Sequence, residues 1–290
     1  MPVSQLFDPL PLPKRIFNAA LSAIAFSLAA LALVPLFAML WSIFTKGMPH
    51  LTGDVFTQLP APAGMKDIVN GFANAVIGTL LMVAIGSGIS LPLGILTAIF
   101  LSEFGKKTAF AEVMRFLISI LSAAPSIVVG VFAYGVIVLP LKGFSAFAGG
   151  FALSIIMLPI VSLATEEALK LVPNSQRLAS AALGAGLART TSRVVLARAF
   201  PSILTTALLA IARAAGETAP LIFTALFSQN WLESVMGPSA SLSVLIFNYA
   251  NSPFIEQNNL AWAAAVILVG MVLFTNLLSR FVIRKRLQAW

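Results

Sequence analysis

Two opposite charges lie inside a stretch that is otherwise long and apolar enough to cross a bilayer. The stretch runs from 201 to 227 and contains Arg213 and Glu217, four residues apart. This spacing places both side chains on one face of a helix, about one turn from each other. Since an arginine at the centre of a membrane helix costs about 2.5–3.5 kcal/mol on insertion scales, we expect it to have a partner or a water-filled cavity.

The charge pair supports two kinds of chemistry. In one, Arg213 and Glu217 form an internal salt bridge that hides both charges and has only a structural role. In the other, Arg213 faces a transport pathway and attracts an anion, while Glu217 tunes or releases it. Both can hold, because a pair that opens when substrate arrives is a gate. The sequence therefore predicts a substrate pathway at these two residues and leaves the static pair as the alternative.

The composition indicates an all-α integral membrane protein. Of the 290 residues, 59% are hydrophobic and only 10% are charged, whereas about a quarter of the residues of a soluble domain are charged. The net charge of +8 comes from basic residues that collect in loops on one face, so nucleic-acid binding is not indicated. The absence of cysteine excludes disulfides and thiolate metal sites, and the single histidine, His50, lies in a polar loop. We therefore expect no metal site.

Six apolar runs predict six transmembrane helices. They lie at about 16–44, 72–101, 116–139, 144–163, 202–227 and 260–278. The first run is longer than the 7–15 residues of a signal-peptide core, so we interpret it as a retained helix. The chain then divides into an N-terminal part with the first helix and an external loop (1–67), a transmembrane core (68–284) and a basic tail (285–290). An even number of spans places both termini on the same side.

The Lys and Arg residues orient these helices. The N-terminus, the loops 102–115 and 165–200 and the C-terminal tail carry two, three, five and four of them, which is fourteen of the eighteen in the chain. The opposite loops carry only Lys46, Lys66 and Lys142. By the positive-inside rule the face with fourteen charges is cytoplasmic, and both termini lie on it.

The loop at about 173–200 contains a segment of small residues. From 178 to 188 it reads LASAALGAGLA, between Arg177 and Arg189. Alanine favours a helix, and small side chains let another backbone come close, so we expect a short helix that fits a groove of a partner protein. The alternative is a helix that lies on the membrane surface with its arginines at the lipid headgroups.

This loop resembles the cytoplasmic loop of ATP-binding-cassette (ABC) importer permeases, whose pattern is E-A-A, three residues, G, nine residues, I-x-L-P. With Gly184 on the glycine, the triplet falls on Leu178, Ala179 and Ser180, and the pattern ends at Ala197. Leu178 stands in place of the usual Glu and Ala197 in place of the usual Pro, so no ion pair is expected through that Glu. The resemblance implies that the triplet and Gly184 belong to a coupling helix that sits in a cleft of the ATPase subunit.

Longer stretches are similar to the PstA family, the permease subunits of phosphate-specific ABC importers. They are SAAPSIVVGVFAYG (122–135), MLPIVSLATEEALKLVP (157–173), RAAGETAPLIFTALF (213–227), SLSVLIFNYA (241–250) and AWAAAVILV (261–269). These stretches occur in the right order and cover about 68–283. The resemblance implies the type I ABC importer permease fold, with six transmembrane helices, in the inner membrane of a bacterium.

The same resemblance implies the partners. They are a second homologous permease of the PstC type, two ATPase subunits of the PstB type and a phosphate-binding protein of the PstS type. ATP and Mg²⁺ are then used by the ATPase, and this chain binds no cofactor and catalyses no covalent step. Its fragment GKKT (105–108) is no phosphate-binding P-loop, because Lys107 stands where Ser or Thr is required.

Three alternatives stay open. The same architecture can carry another oxyanion or a small solute, since one fold supports many substrates. In an ion-coupled secondary carrier, Arg213 and Glu217 would form a proton-linked relay. A membrane scaffold or sensor that transports nothing is the third. Phosphate suits the residues present, because a guanidinium is a planar, permanently charged fork that matches phosphate oxygens.

Overall fold

The computed structural model describes residues 11–65 and 69–287, and the regular secondary structure in these two ranges is helical. The first ten residues, residues 66–68 and residues 288–290 lie outside the described ranges, so the sequence predictions for them stay predictions. Helices are expected here, because in lipid every backbone N–H and C=O must find its partner within the protein.

Twelve α-helices follow one another along the described chain. They are α1 (Leu12–Gly47), α2 (Ala73–Ile99), α3 (Ala109–Ala123), α4 (Ser126–Ala133), α5 (Leu139–Leu141), α6 (Ala146–Lys170), α7 (Asn174–Ala182), α8 (Leu187–Thr190), α9 (Leu196–Ala215), α10 (Ala219–Thr224), α11 (Leu242–Ala250) and α12 (Ile255–Leu287). Three π-helical segments continue or join them, namely Phe100–Phe104 after α2, Tyr134–Val138 between α4 and α5, and Thr191–Val195 between α8 and α9.

Five helical runs are long and apolar enough to span a bilayer. They are Leu12–His50, Ala73–Phe104, Ala146–Lys170, Leu187–Ala215 and Ile255–Leu278. A bent pair of helices, Ala109–Ala123 with Ser126–Leu141, passes the same test as one broken span. With this pair counted once, the described chain has the six spans that the sequence predicts.

The third predicted span, 116–139, is broken rather than straight. Its two helices meet at an angle of 104°. Pro125 has no N–H to donate, and Ala124 before it adopts an extended backbone (φ −66°, ψ 131°), as a residue before proline prefers. The predicted span is therefore present, but it is divided at Pro125 into two helices.

The fifth predicted span, 202–227, has different ends. The continuous run is Leu187–Ala215, so it starts inside the segment that the sequence analysis assigned to the cytoplasmic loop. It ends because the amide of Gly216 bonds the carbonyl of Arg213, three residues back, at 3.1 Å. Arg213 thus lies in the last turn of α9 and Glu217 lies beyond it. The expectation that both residues share one helical face was wrong.

The centre of the fold is the contact between α2 and α6. A Cβ at Gly150 of α6 would lie 2.6 Å from Ile85 of α2, and one at Gly94 of α2 would lie 2.8 Å from Val161 of α6. Membrane helices depend on such close backbone approach, because water does not drive them together. Around this contact lies a buried cluster that includes Met82, Leu153, Met157, Val161 and Leu221.

The first helix packs on this core only at its end. Among the described residues of α1, only Gly47 is buried. The backbone there lies against Trp262 of α12, and the Nζ atom of Lys46 stands 4.7 Å from the centre of the Trp262 ring. The core that positions the predicted site residues is therefore built from α2 onward.

Candidate functional site

Arg213 and Glu217 line one cavity. It has a volume of about 230 Å³, and its wall includes Ser122 and Ser126, on either side of the break between α3 and α4, and Pro159 of α6. The cavity thus lies where two helices are interrupted, at Pro125 and after Ala215. Neither interruption was predicted, although the charge pair itself was.

The charge pair is loose and partly open. Arg213 Nε and Glu217 Oε1 are 3.7 Å apart, and the side chains are 63% and 16% exposed, respectively. This distance is within the range of an ion pair but is longer than a hydrogen bond. The guanidinium therefore is not hidden within this chain. Within this chain alone, the pair does not enclose both charges.

Glu217 is held in place by the backbone of the break after α9. Its amide donates to the carbonyl of Ala214 at 3.2 Å, and its own carbonyl accepts a hydrogen bond from the hydroxyl of Ser243 in α11 at 2.8 Å. Arg213 lies at the C-terminal end of α9, where the helix dipole favours a cation. These bonds fix the main chain at Glu217, while its side-chain oxygens accept no hydrogen bond from the described residues.

The cavity offers several hydrogen-bond donors. The guanidinium of Arg213 donates no hydrogen bond to the described residues, and the hydroxyls of Ser122 and Ser126 bond no other described group. A cationic fork beside two hydroxyls can bind an anion with several oxygens. A single carboxylate in the wall opposes tight binding, as release requires.

The predicted coupling residues lie in a segment that we name the foot, residues 171–190, which comprises α7, α8 and the turns around them. Leu178, Ala179 and Ser180 are on α7, whereas Gly184 follows it with φ of 80°. This left-handed conformation is the one with which glycine ends a helix. The single helix expected at 178–188 was therefore wrong, since a glycine turn separates two short helices.

The foot has exposed leucines on its surface. Leu178, Leu183 and Leu187 are 70%, 89% and 53% exposed. The hydroxyls of Ser180 and Thr190 lie 2.9 Å apart and join α7 to α8. The foot is therefore an internally bonded knob with apolar side chains on its surface.

Arg177, at the base of the foot, is a functional candidate that the sequence analysis missed. It was counted as a loop charge, but its side chain forms a 2.7 Å ion pair with Glu103 in the π-helical segment after α2, and the two side chains are only 14% and 2% exposed. It also donates to the carbonyls of Leu169 and Val172 at the end of α6. Arg177 thus ties the foot to α2 and α6 at once.

A second buried carboxylate lies near this base. Glu166 of α6 accepts a hydrogen bond from Arg115 of α3 at 2.8 Å and forms an ion pair with Lys170 at 3.1 Å. Arg115 also donates to the carbonyl of Leu101 at 2.8 Å. These bonds join the ends of α2, α3 and α6 into one polar network.

The two predicted groups of site residues stay apart, and one helical run lies between them. The foot continues directly into Leu187–Ala215, which carries Arg213 in its last turn. At 1.5 Å per residue this run is roughly 40 Å long.

Comparison with known proteins places the chain in a family. The family of binding-protein-dependent transport system inner membrane components matches residues 90–288. The phosphate transport system permease protein PstA of Yersinia pestis is 43% identical over 267 residues, with 91% of this chain and 90% of the relative covered. PstA of Haemophilus influenzae is 43% identical, with 86% and 88% covered. PstA 1 of Mycobacterium tuberculosis strain CDC 1551 is 35% identical, with 97% and 94% covered.

Solved structures share the fold at low identity. A chain of the MetNI methionine ABC transporter in an inward-facing conformation matches with a TM-score of 0.59 at 18% identity, with 73% of this chain and 92% of that chain covered. A chain of a bacterial alginate ABC transporter bound to its periplasmic protein matches with a TM-score of 0.61 at 16% identity, with 94% and 98% covered. From these identities and this fold it follows that the chain belongs to the PstA family of ABC importer permeases, within the binding-protein-dependent transport system inner membrane components.

Proposed function

We propose that this chain is one of two membrane subunits of an ATP-driven importer of inorganic phosphate. The observation that carries the proposal is the guanidinium of Arg213, which faces a cavity in a chain that is 43% identical to PstA over 91% of its length. Family likeness selects the substrate, and the cavity supplies a group that suits it.

Arg213 is the anion-binding group of the pathway. Its donors make no hydrogen bond within the described chain, so phosphate oxygens can take them in bidentate form. Glu217 at 3.7 Å offsets part of the positive charge. The site therefore attracts phosphate without holding it, which a transport pathway requires.

The foot is the contact with the ATPase. Its exposed leucines, Leu178 and Leu183, are suited to an apolar groove, and its base is tied to α2 and α6 through Arg177. Nucleotide-driven movement of the ATPase would therefore move α2, α6 and α9 together. Leu178 in place of the glutamate of the family pattern makes this contact apolar rather than ionic.

The assembly follows the family. A second permease of the PstC type completes the pathway, two PstB-type subunits bind ATP and Mg²⁺, and a PstS-type protein delivers phosphate. The membrane is the inner membrane of a bacterium, with the foot and both termini in the cytoplasm, as the distribution of basic residues favours. This chain itself binds no cofactor.

The test is purification of the complex from native membranes, followed by uptake of labelled phosphate into vesicles in competition with sulfate and molybdate. We expect ATP-dependent uptake of labelled phosphate. Unlabelled phosphate should suppress this uptake, whereas sulfate and molybdate should not. Suppression by sulfate or molybdate would assign the permease to another oxyanion. Uptake that persists without the ATPase under an ion gradient would identify a secondary carrier, and absence of any transport would identify a scaffold or sensor.

A further inference from the structure

The carboxylate of Glu217 has unused capacity to accept hydrogen bonds. It is 16% exposed, it lines the cavity, and its contact with Arg213 at 3.7 Å is too long for a hydrogen bond. No other described group donates a hydrogen bond to it. An ionised carboxylate has about four acceptor positions. The cavity thus presents an acceptor that can take a hydrogen bond from a donor on its occupant.

A carboxylate is an unexpected neighbour for an anion. Arg213 attracts every oxyanion, whereas Glu217 repels an oxyanion that has only acceptor oxygens. The repulsion becomes a hydrogen bond when the anion itself carries a proton. Inorganic phosphate and arsenate keep at least one proton at neutral pH, while sulfate keeps none. The three ions are tetrahedral and similar in size, so cavity volume cannot separate them.

We propose that Glu217 is a specificity-determining residue that admits oxyanions carrying a proton and rejects fully ionised ones. The P–OH group donates to a side-chain oxygen of Glu217, and the ionised oxygens accept from the guanidinium of Arg213. Ser122 and Ser126 are placed in the same wall to donate to the remaining oxygens. This inference rests on the proposed function, since it assigns selectivity to the same cavity.

Occupancy of the cavity can be measured without the selectivity of a delivery protein. The chain contains no cysteine, so Ala124→Cys introduces a single thiol into the wall of the cavity without removing a proposed donor. In the assembled complex, the alkylation rate of this thiol is followed by mass spectrometry of this subunit as phosphate, arsenate or sulfate is added. Ser234→Cys, at an exposed position that does not line the cavity, is the matched control and should react at the same rate with every anion.

We expect phosphate and arsenate to slow the reaction at Ala124→Cys at similar concentrations. Sulfate should require a roughly 10- to 100-fold higher concentration, as expected for the loss of a hydrogen bond to a charged group. In the Glu217→Gln background the amide offers both a donor and an acceptor, so sulfate should protect at nearly the same concentration as phosphate. Glu217→Asp keeps the carboxylate and should keep a preference for phosphate and arsenate over sulfate, which separates chemistry from a loss of packing.

The inference would be overturned if sulfate and phosphate protected the thiol equally while Arg213 and Glu217 are unchanged. An unchanged preference in Glu217→Gln, or an absence of protection by any anion, would overturn it as well. Uptake of labelled phosphate by the same preparation separates the two levels of the argument. ATP-driven phosphate uptake without preferential protection rejects only the role of Glu217. Absence of uptake by the native complex rejects the proposed function.

Discussion

The ion pair at the base of the foot yields the prediction with the most definite magnitude. Arg177→Ala removes the partner of Glu103, whose side chain is 2% exposed. Among the described residues, the buried carboxylate then keeps only the hydroxyl of Ser102 as a donor, at 3.1 Å. Breaking such a buried pair costs about 3–5 kcal/mol. The carbonyls of Leu169 and Val172 lose their donor as well, so we expect the upper part of this range.

Arg177→Ala should change both the thermal stability of the complex and the coupling of ATP hydrolysis to phosphate transport. For a chain of this size the loss corresponds to a decrease in Tm on the order of 6–12 °C, measured on the purified complex. Because the foot is no longer bonded to α2 and α6, we also expect ATP hydrolysis to continue while phosphate transported per ATP falls. The second effect is specific to the proposed role, since destabilisation alone lowers both activities together.

Two variants control this experiment. Arg189→Ala removes the same charge from the same foot, but Arg189 is exposed and has no ion-pair partner among the described residues. Its effect on the free energy of unfolding should therefore be within about 1 kcal/mol of zero. Arg177→Met combined with Glu103→Gln removes both charges, and it should be more stable than Arg177→Ala because no unpaired charge is left. A Tm for Arg177→Ala equal to that of Arg189→Ala, with unchanged transport per ATP, would refute the reasoning.

Three further predictions concern the cavity, the foot and the orientation. Arg213→Ala should abolish phosphate uptake in the purified complex while co-purification of the partner subunits is retained; normal uptake would exclude Arg213 from the pathway. Gly184→Trp should reduce ATPase-coupled transport, because φ of 80° costs a residue with a Cβ about 1–2 kcal/mol and the side chain obstructs docking. Gly186→Trp, at φ −67°, adds the bulk without the backbone strain. Unchanged transport in both variants would show that the foot does not dock on the ATPase. Cysteines at Ser175 and Ser234, both exposed, should label from the cytoplasmic and external sides, respectively, and the reverse pattern would invert the topology.

Much of the architecture follows from the sequence because lipid leaves the chain few choices. An apolar run of about 20 residues must form a helix to satisfy its backbone, and this predicts the six spans, including the broken one. Arg213 and Glu217 could be recognised as candidate site residues from the sequence, because ionisable residues are rare in such apolar runs. The order of the characteristic stretches indicated the family, which the comparisons confirm.

The shape of the candidate site was decided by tertiary structure. Pro125 signals a disturbance in a helix, but the 104° bend and the cavity it borders depend on where α6 and α9 pack. Likewise, Gly216 ends α9 only in a fold that continues the chain through Glu217 to α10, with Ser243 of α11 bonded at the break. The i, i+4 spacing was read as one helical face, whereas the structure separates the two residues by the end of a helix.

The base of the foot shows the same division most clearly. In the sequence, Arg177 is one basic residue in a basic loop, and Glu103 lies 74 positions earlier in another loop. Their types and local surroundings predict solvated charges. Only the packing of α2 against α6 brings the two loops together and removes water from between them. A charge that has lost its water is stable only beside an opposite charge. The sequence alone therefore determined the membrane helices and the charges they carry, and the tertiary structure decided which of those charges meet.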